Sequence, residues 1–166
     1  MNQEKELPKR KKNRLEKFDY SSCGAYFITI CTLKKQNYFW ENVGAIIDRP
    51  QSVTLSVFGK VVDAAIQNIV HVYPELSIDG YVIMPNHIHL LLRICAEDNG
   101  RPLVAPTISR IIKQLKGVVT KQVGEELWQK SFHDHVIRNN SDYEEHLRYV
   151  YENPMKWSQD ELFVVE

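Results

Sequence analysis

The sequence contains little cysteine and carries no net charge. Its 166 residues include 3 cysteines, Cys23, Cys31 and Cys95, which are widely spaced and form no Cys-x-x-Cys pair. This pattern argues against a disulfide framework and against a thiolate zinc site, so we expect buried free thiols. Basic and acidic residues balance at 21 each, and the total charge therefore gives no indication of a polyanionic partner.

Long apolar runs are also absent. No segment approaches the ~18 apolar residues of a membrane span, and the N-terminal segment is charged where a signal peptide would be apolar. We therefore expect a cytoplasmic protein without a membrane partner. A hydrophobic content of 43% and a charged content of 25% are typical of a globular protein. The length fits one domain on a prior of ~150 residues per domain.

Positive charge is concentrated near the N-terminus. Residues 1–17 contain seven basic and three acidic side chains, whereas the remainder contains 14 and 18. Such an arm either binds a polyanion or is a solvated tail, and its composition leaves both readings open. We predict a flexible arm over 1–17, one domain over 18–158 and a short tail over 159–166. The arm residues considered for nucleic-acid contact are Lys9, Arg10, Lys11, Lys12 and Arg14.

Apolar periodicity predicts the element order βαββαβ followed by a further helix. The predicted strands are 26–32, 76–84, 87–94 and 131–137. The predicted helices are 57–70, one that begins after a Thr107 cap, and one that runs from a Ser141 capping box to about Asn153. This order suits a ferredoxin-like α+β fold, with two helices on one face of an antiparallel sheet. We expect the other face to be open for a site.

His87 and His89 alternate along the third predicted strand, so both imidazoles project from the same face. The intervening and following apolar residues Ile88, Leu90 and Leu92 assign the opposite face to the core. Two imidazoles on one face are able to share a metal ion, although an ordinary exposed pair shows the same spacing. His133 and His135 form a second alternate-residue pair and a rival metal site.

The last predicted helix carries an apolar stripe formed by Tyr143, Leu147, Val150 and Tyr151, which predicts that Tyr151 lies in the core. Tyr149 lies about 200° from Tyr151 around the helix and shares a face with Asn153, one turn later. Either its hydroxyl contacts a ligand, or Tyr149 is an ordinary amphipathic surface residue. Because a phenol with a pKa of ~10 is a weak nucleophile, an attacking tyrosine benefits from a metal-polarised electrophile.

Two stretches of the chain resemble a known family. YVIMPNHIHLLL at 81–92 and IRNNSDYEEHLRYVYENPMKW at 137–157 are similar to motifs of the REP-associated tyrosine transposases, which are single-tyrosine members of the HUH endonuclease superfamily. Both motifs occur in the family's order, and the resemblance covers roughly residues 20–157. It implies the same βαββαβ core, with a nucleophilic tyrosine on the added helix.

The resemblance also implies roles for individual residues. Tyr149 matches the tyrosine that attacks the scissile phosphate of single-stranded DNA, giving a 5′-phosphotyrosine and a free 3′-hydroxyl. His87 and His89 match the metal pair, and Asn153 matches the polar residue that completes the shell around Mg²⁺ or Mn²⁺. His135 matches a histidine that supports the metal or the tyrosine. The alternative is that His135 is a buried, hydrogen-bonded structural histidine.

The implied partner is single-stranded or hairpin DNA. Besides the arm, the basic residues Arg110, Lys113 and Lys121 would suit a phosphate path. Tyr20, Tyr26, Tyr38 and Trp40 either stack on unpaired bases or lie in the core. A monomer and a homodimer both remain open. Two rival functions also remain, a hairpin-binding protein without turnover and a metal-dependent phosphodiesterase that uses water.

Overall fold

Residues 23–41, 53–95 and 107–164 are described by a computed structural model. One sheet contains the strands β1 (Gly24–Cys31), β2 (Leu76–Ile83), β3 (His87–Ile94) and β4 (His133–Val136). Its strand order is β2-β3-β1-β4, and every neighbouring pair is antiparallel. The helices are α1 (Val57–Val72), α2 (Ile108–Val123) and α3 (Asn140–Glu152), and 3-10 turns over Asn153–Gln159 follow α3. The predicted α+β fold with a C-terminal helix is confirmed.

The central strands β1 and β3 set the register of the sheet. They pair along their full length, from Gly24 opposite Ile94 to Cys31 opposite His87. The apolar side chains of β1, those of Tyr26, Phe27, Ile28 and Ile30, are buried, as expected for a strand with neighbours on both sides. The edge strand β4 is shorter than predicted and pairs with only four residues of β1.

Helices α1 and α2 cover the sheet face that was predicted to hold the core. Ser56 Oγ accepts a hydrogen bond from Gly59 N at 3.1 Å, and Thr107 Oγ1 accepts one from Arg110 N at 3.3 Å. Both helices therefore begin at a side-chain cap, Thr107 as predicted. Tyr81 on β2 donates a hydrogen bond to Asp63 Oδ1 of α1 at 2.7 Å, which fixes the helix to the sheet.

Helix α3 packs on the opposite face, against β2 and β3. Tyr143 donates to Asp79 Oδ2 at 3.0 Å, and Arg93 forms an ion pair with the same oxygen at 2.8 Å. Near the other end of the helix, Leu147 reaches Gly80, where an added Cβ would lie 3.2 Å from Leu147 Cδ1. The missing side chain at Gly80 therefore lets α3 approach β2 closely.

Two predicted details of α3 are wrong. The N-cap is Asn139, whose side chain accepts a hydrogen bond from Asp142 N at 2.9 Å, and Ser141 lies inside the helix. Tyr151 is not a core residue, since 69% of it is exposed. It follows Tyr143 by eight residues, which places it about 80° away from the line through Tyr143 and the helix axis.

The prediction of an open sheet face is also wrong. His87 is 0% exposed and His89 is 4% exposed, because α3 and the segment after it cover them. Trp157 is buried, and its ring centroid lies 6.0 Å from that of His87 and 5.2 Å from that of Phe163. The sheet is therefore enclosed on both faces where the histidine pair lies.

The cysteines and the aromatic candidates differ in their environments. Cys31 is buried as predicted, but Cys23 and Cys95 are exposed, because they lie at the open end of the β1–β3 ladder, and the three form no disulfide. Tyr26 and Trp40 are core residues and not base-stacking surfaces, Tyr38 is half-buried, and Tyr20 lies outside the described residues. Within the described ranges, no helix combines the length and the apolar character needed to cross a membrane.

Two helical glycines provide a matched test of the packing. A Cβ on Gly59 would lie 2.3 Å from the backbone oxygen of Phe39, whereas a Cβ on Gly117 would meet nothing within 4 Å. We predict that Gly59→Ala lowers the free energy of unfolding by about 1–3 kcal/mol through overpacking. Gly117→Ala should raise it by about 0.5–1 kcal/mol through helix propensity. Urea unfolding measures both changes, and a Gly59→Ala protein as stable as the unmodified chain would contradict the close approach.

Candidate active site

The histidine pair lies at the start of β3, directly after the Pro85–Asn86 hairpin turn. The two rings meet edge to face, with centroids 4.6 Å apart and planes at 74°. Their Nε2 atoms are 2.9 Å apart. The predicted convergence of the two imidazoles is therefore present, in a buried setting where the Nε2 atoms face the same point.

Neighbouring side chains determine which ring nitrogens carry protons. Asn86 Nδ2 donates to the carbonyl of Leu162 at 2.8 Å, so Asn86 Oδ1 accepts from His87 Nδ1, also at 2.8 Å. The Nε2 atom of His87 is then unprotonated and accepts from His89 Nε2. The Nδ1 atom of His89 accepts from Thr29 Oγ1 at 2.8 Å. Such outer partners set the orientation and tautomer of imidazole ligands.

Burial controls the charge of the pair. It lowers the pKa of both His87 and His89 to about 3, with the charge of Lys35 adding to the effect on His87 and that of His87 adding to the effect on His89. Both rings are neutral at neutral pH. Neutral imidazole is the form that binds a metal ion, so the pair already has the required charge. For both Nε2 atoms to bind one ion, the Nε2 proton of His89 would have to move to its Nδ1, where Thr29 Oγ1 is placed to accept it.

Tyr149 lies beside the histidine pair on the last full turn of α3. Its ring packs edge-on against His89, with centroids 5.2 Å apart, and against Phe27, with centroids 5.9 Å apart. The residue is 42% exposed, and its hydroxyl donates to Asp160 Oδ2 at 3.3 Å. Burial and then the Asp160 carboxylate raise the pKa of Tyr149 to about 12. The phenol is therefore protonated at neutral pH.

Asp160 is a site residue that the sequence analysis missed. Its Oδ2 lies 3.8 Å from His87 Nε2, its side chain is 2% exposed, and its Oδ1 accepts from Leu162 N at 2.7 Å. The three donor atoms of His87, His89 and Asp160 lie within 4.8 Å of one another. Asp160 falls in the segment predicted to be a short tail, outside both family-like motifs, so no sequence pattern pointed to it.

Asn153 lies where the helix geometry predicted, one turn after Tyr149. It is 3% exposed, and its backbone N–H donates to the carbonyl of Tyr149 as the helix ends. Its amide also opposes the rise in the pKa of Tyr149. Among the described residues, none accepts a hydrogen bond from the buried Asn153 Nδ2. Such an orphaned amide fits a site that is completed by a further group.

A cavity of 400 Å³ lies beside Tyr149, and Phe27, His89 and Asp160 also line it. Among the described residues, three carboxylates border it, those of Glu145, Asp160 and Glu161, and no lysine or arginine does. A phosphodiester would be repelled in this cavity unless a cation compensated the charge. The two imidazoles and the oxygen donors of Asp160 and Asn153 are ligand types that suit a divalent cation.

His135 does not contact the histidine pair. Its Nε2 lies 3.0 Å from Asp142 Oδ1, and its ring stacks on that of His146, with centroids 4.7 Å apart. His146 contacts Phe27, which in turn stacks on His89. The role of His135 in supporting the metal or the tyrosine remains a prediction. His133 borders the cavity but does not join His135 in a ligand set.

The predicted basic residues lie away from this site. Arg110, Lys113 and Lys121 are exposed on α2, which packs with α1 on the far side of the sheet. Lys9, Arg10, Lys11, Lys12 and Arg14 lie outside the described residues. The structure therefore brings His87, His89, Asn153 and Tyr149 together and leaves the α2 cations apart from them.

No family model matches the chain. An uncharacterised protein of Haemophilus influenzae is 33% identical over 93% of this chain and 93% of its own length. A second protein of that organism, provisionally named a REP-associated tyrosine transposase, is 28% identical over 83% of this chain and 74% of its own length. The REP-associated tyrosine transposase of Escherichia coli is 31% identical over 48% of this chain and 45% of its own length.

A solved structure also has a similar fold. The solved structure of a REP-associated tyrosine transposase bound to a REP hairpin superposes with a TM-score of 0.55 and 24% identity, covering 80% of this chain and 67% of that one. The fold is thus that of the α+β domain in this solved structure. In sequence the chain is similar to proteins named REP-associated tyrosine transposases.

The buried pair predicts how the stability of the metal-free protein depends on pH. Unfolded histidines bind protons below their ordinary pKa of 6.5, whereas these two stay neutral until about 3. The free energy of unfolding should therefore fall as the pH drops from 6.5 towards 3, by on the order of 1–2 kcal/mol per imidazole at pH 5. Urea unfolding at pH 7.5 and 5.0 in EDTA measures this loss.

Two variants identify the source of the pH dependence. His89→Gln removes one titrating ring and should abolish about half of the loss. His71→Gln, at an exposed position on α1, should leave it unchanged. Equal pH dependence in the unmodified protein and in His89→Gln would show that the pair is not held neutral.

Proposed function

We propose that the chain is a metal-dependent single-stranded DNA endonuclease and transesterase that nicks and rejoins DNA at hairpin repeats through Tyr149. The observation that carries the proposal is the convergence of Tyr149, His89 and the Asp160 carboxylate at one cavity, with His87 directly behind His89. A nucleophile, a base and a set of metal donors are then available within a few ångströms of the same phosphate.

The chemistry is a transfer of a phosphoryl ester between two oxygens. Tyr149 Oη attacks the scissile phosphorus, the bond from phosphorus to the 3′ oxygen breaks, and a 5′-phosphotyrosine forms. The phenolic proton passes to Asp160 Oδ2, with which the hydroxyl already forms a hydrogen bond, and the 3′ oxygen leaves as a hydroxyl after taking up a proton. Rejoining is the reverse, with a 3′-hydroxyl attacking the phosphotyrosine.

His87 and His89 would hold the cation, with Asn153 and Asp160 as the candidate oxygen donors. When bound, Mg²⁺ or Mn²⁺ would offset the charge of the phosphate and polarise it for attack. Asn86 and Thr29 fix the orientation of the two rings through their Nδ1 atoms. Phe27 packs against both His89 and Tyr149 and thereby holds the nucleophile beside the pair.

The proposed substrate is hairpin DNA with a single-stranded flank. Its support is that the protein in the fold comparison is described as bound to a REP hairpin. The acidic cavity provides little attraction for DNA, so binding energy must come from other surfaces. We assign that role to the basic arm, Lys9, Arg10, Lys11, Lys12 and Arg14, with Arg110, Lys113 and Lys121 as further candidates.

The nucleophile can be tested with a matched pair of tyrosines on the same helix. Labelled hairpin DNA from repeats that flank the gene is incubated with the protein and Mg²⁺ or Mn²⁺, and covalent adducts are separated on a denaturing gel. We expect a metal-dependent protein–DNA adduct whose rate of formation drops by on the order of 10³-fold or more in Tyr149→Phe. Tyr151→Phe, which alters an exposed ring two residues away, should react like the unmodified protein.

The rival functions give different outcomes in the same experiment. Cleavage that survives in Tyr149→Phe would indicate a phosphodiesterase in which water attacks. Tight hairpin binding with no cleavage by any variant, in either metal, would indicate a binding protein without turnover. Either result would overturn the assignment of Tyr149 as the nucleophile.

Asp160 can be tested as the base for Tyr149. Asp160→Asn keeps the size of the side chain but removes the acceptor of the phenolic proton, so adduct formation under single-turnover conditions should slow by about 10²–10⁴-fold. The loss should shrink as the pH rises towards the pKa of Tyr149. Glu144→Gln, at an exposed position on α3, serves as the control. A rate in Asp160→Asn equal to that of the control would exclude this role.

A further inference from the structure

A second cluster of metal-binding side chains lies beyond Phe27 from the active site. It consists of His135 on the edge strand β4 and of Asp142 and His146 on α3. Asp142 and His146 are four residues apart, which places them on one face of the helix, one turn from each other. The cluster therefore joins the first two turns of α3 to β4.

The three side chains already have the spacing of a ligand set. Asp142 Oδ1 lies 3.0 Å from His135 Nε2 and 3.1 Å from His146 Nδ1. Ligand atoms around a tetrahedral ion, with bonds of ~2.0–2.2 Å, are separated by about 3.3–3.5 Å. A modest outward shift of the donors would thus accommodate an ion, and the three donor atoms lie within 4.8 Å of one another.

The surrounding contacts orient the carboxylate for this purpose. Arg138 N donates to Asp142 Oδ2 at 3.0 Å. Oδ1 faces both imidazoles, and Oδ2 also lies 3.0 Å from His135 Nε2. Hydrogen bonds of this kind hold ligating carboxylates in place at metal sites. In the metal-free arrangement, His146 Nδ1 donates to the carbonyl of Asp142 at 2.8 Å, and His135 Nε2 donates to the Asp142 carboxylate at 3.0 Å. Both ring nitrogens would have to give up these protons when a metal binds.

We propose that His135, Asp142 and His146 bind a zinc-class cation. Two imidazoles and one carboxylate are a typical zinc donor set, whereas Mg²⁺ prefers oxygen ligands and keeps its waters. The side chain of His135 is 48% exposed, and those of Asp142 and His146 are 18% and 21% exposed. The ion is therefore reachable from solvent, and water fills its fourth position.

The site is distinct from the His87–His89 pair and acts on the same helix. Phe27 separates the two, since its ring lies 5.0 Å from that of His89 and 4.6 Å from that of His146. Tyr149 follows His146 by three residues. A metal bound at the cluster would fasten α3 to β4, the shortest strand of the sheet, and would thereby stiffen the helix that carries Tyr149.

Zinc titration of the full chain tests the proposal without DNA, so it does not depend on the proposed nicking activity. Isothermal calorimetry with Zn²⁺ should show a binding event that is weakened at least about tenfold in His135→Gln. His146→Gln should show the same loss, and His133→Gln should not. Co²⁺ in place of Zn²⁺ should give the visible absorption of a tetrahedral site without thiolates, which disappears in the same two variants.

A second measurement reports on the clamp. Zn²⁺ should slow amide hydrogen exchange in the first turns of α3 in the unmodified protein, and should leave exchange unchanged in His135→Gln. Equal zinc affinity and stoichiometry in the unmodified protein and in both His135→Gln and His146→Gln would overturn the proposal. A loss in His133→Gln as large as that in His135→Gln would overturn it too, because it would assign the metal to the pair on β4.

Discussion

The approach of two neutral imidazoles, Nε2 to Nε2 at 2.9 Å, is the contact on which the rest of this site depends. It arises from strand geometry, since residues two apart on β3 must point to the same face. The contact is compatible with burial because each Nδ1 atom has a hydrogen-bond partner, Asn86 for His87 and Thr29 for His89. Without those partners, two polar rings in an enclosed space would each carry the cost of an unsatisfied group.

The two faces of the sheet differ, since one packs the apolar core and the other carries the polar residues of the candidate site. The α1–α2 layer buries the apolar side chains of β1 and β3 and provides the stability of the domain. On the other face, the same strands present polar groups to α3, which is held by the ion pair and hydrogen bond around Asp79 at one end and by the close approach at Gly80 nearer the other. Tyr149 therefore lies on a helix whose position is fixed by contacts that do not involve the site itself.

The element order, the strand alternation and the family-like motifs were readable from the sequence because each is a local or periodic property. The same information could not show that the histidine face is covered, since a pattern along β3 does not report what packs on it. Asp160 was missed for a related reason: its approach to His87 joins residues far apart in the chain and belongs to no repeat or motif. Ser141 and Tyr151 show a finer limit. The helix begins two residues earlier than the capping pattern indicated, and Tyr151 lies at the margin of the apolar stripe, where spacing alone does not decide burial.

The electrostatics of the cavity bear on the proposed roles of a cation and a base. Burial and Asp160 hold the proton on Tyr149 by raising its pKa to about 12, so the carboxylate that is placed to accept the proton also opposes formation of the phenolate. A divalent cation between the imidazoles and the phosphate would act in the opposite direction on the phenolate, the carboxylate and the substrate at once. Since burial keeps both imidazoles neutral, the charge of the ion would not be countered or augmented by its nitrogen ligands. Tyr149 is therefore protonated at rest, and the proposed reaction would depend on the arrival of positive charge.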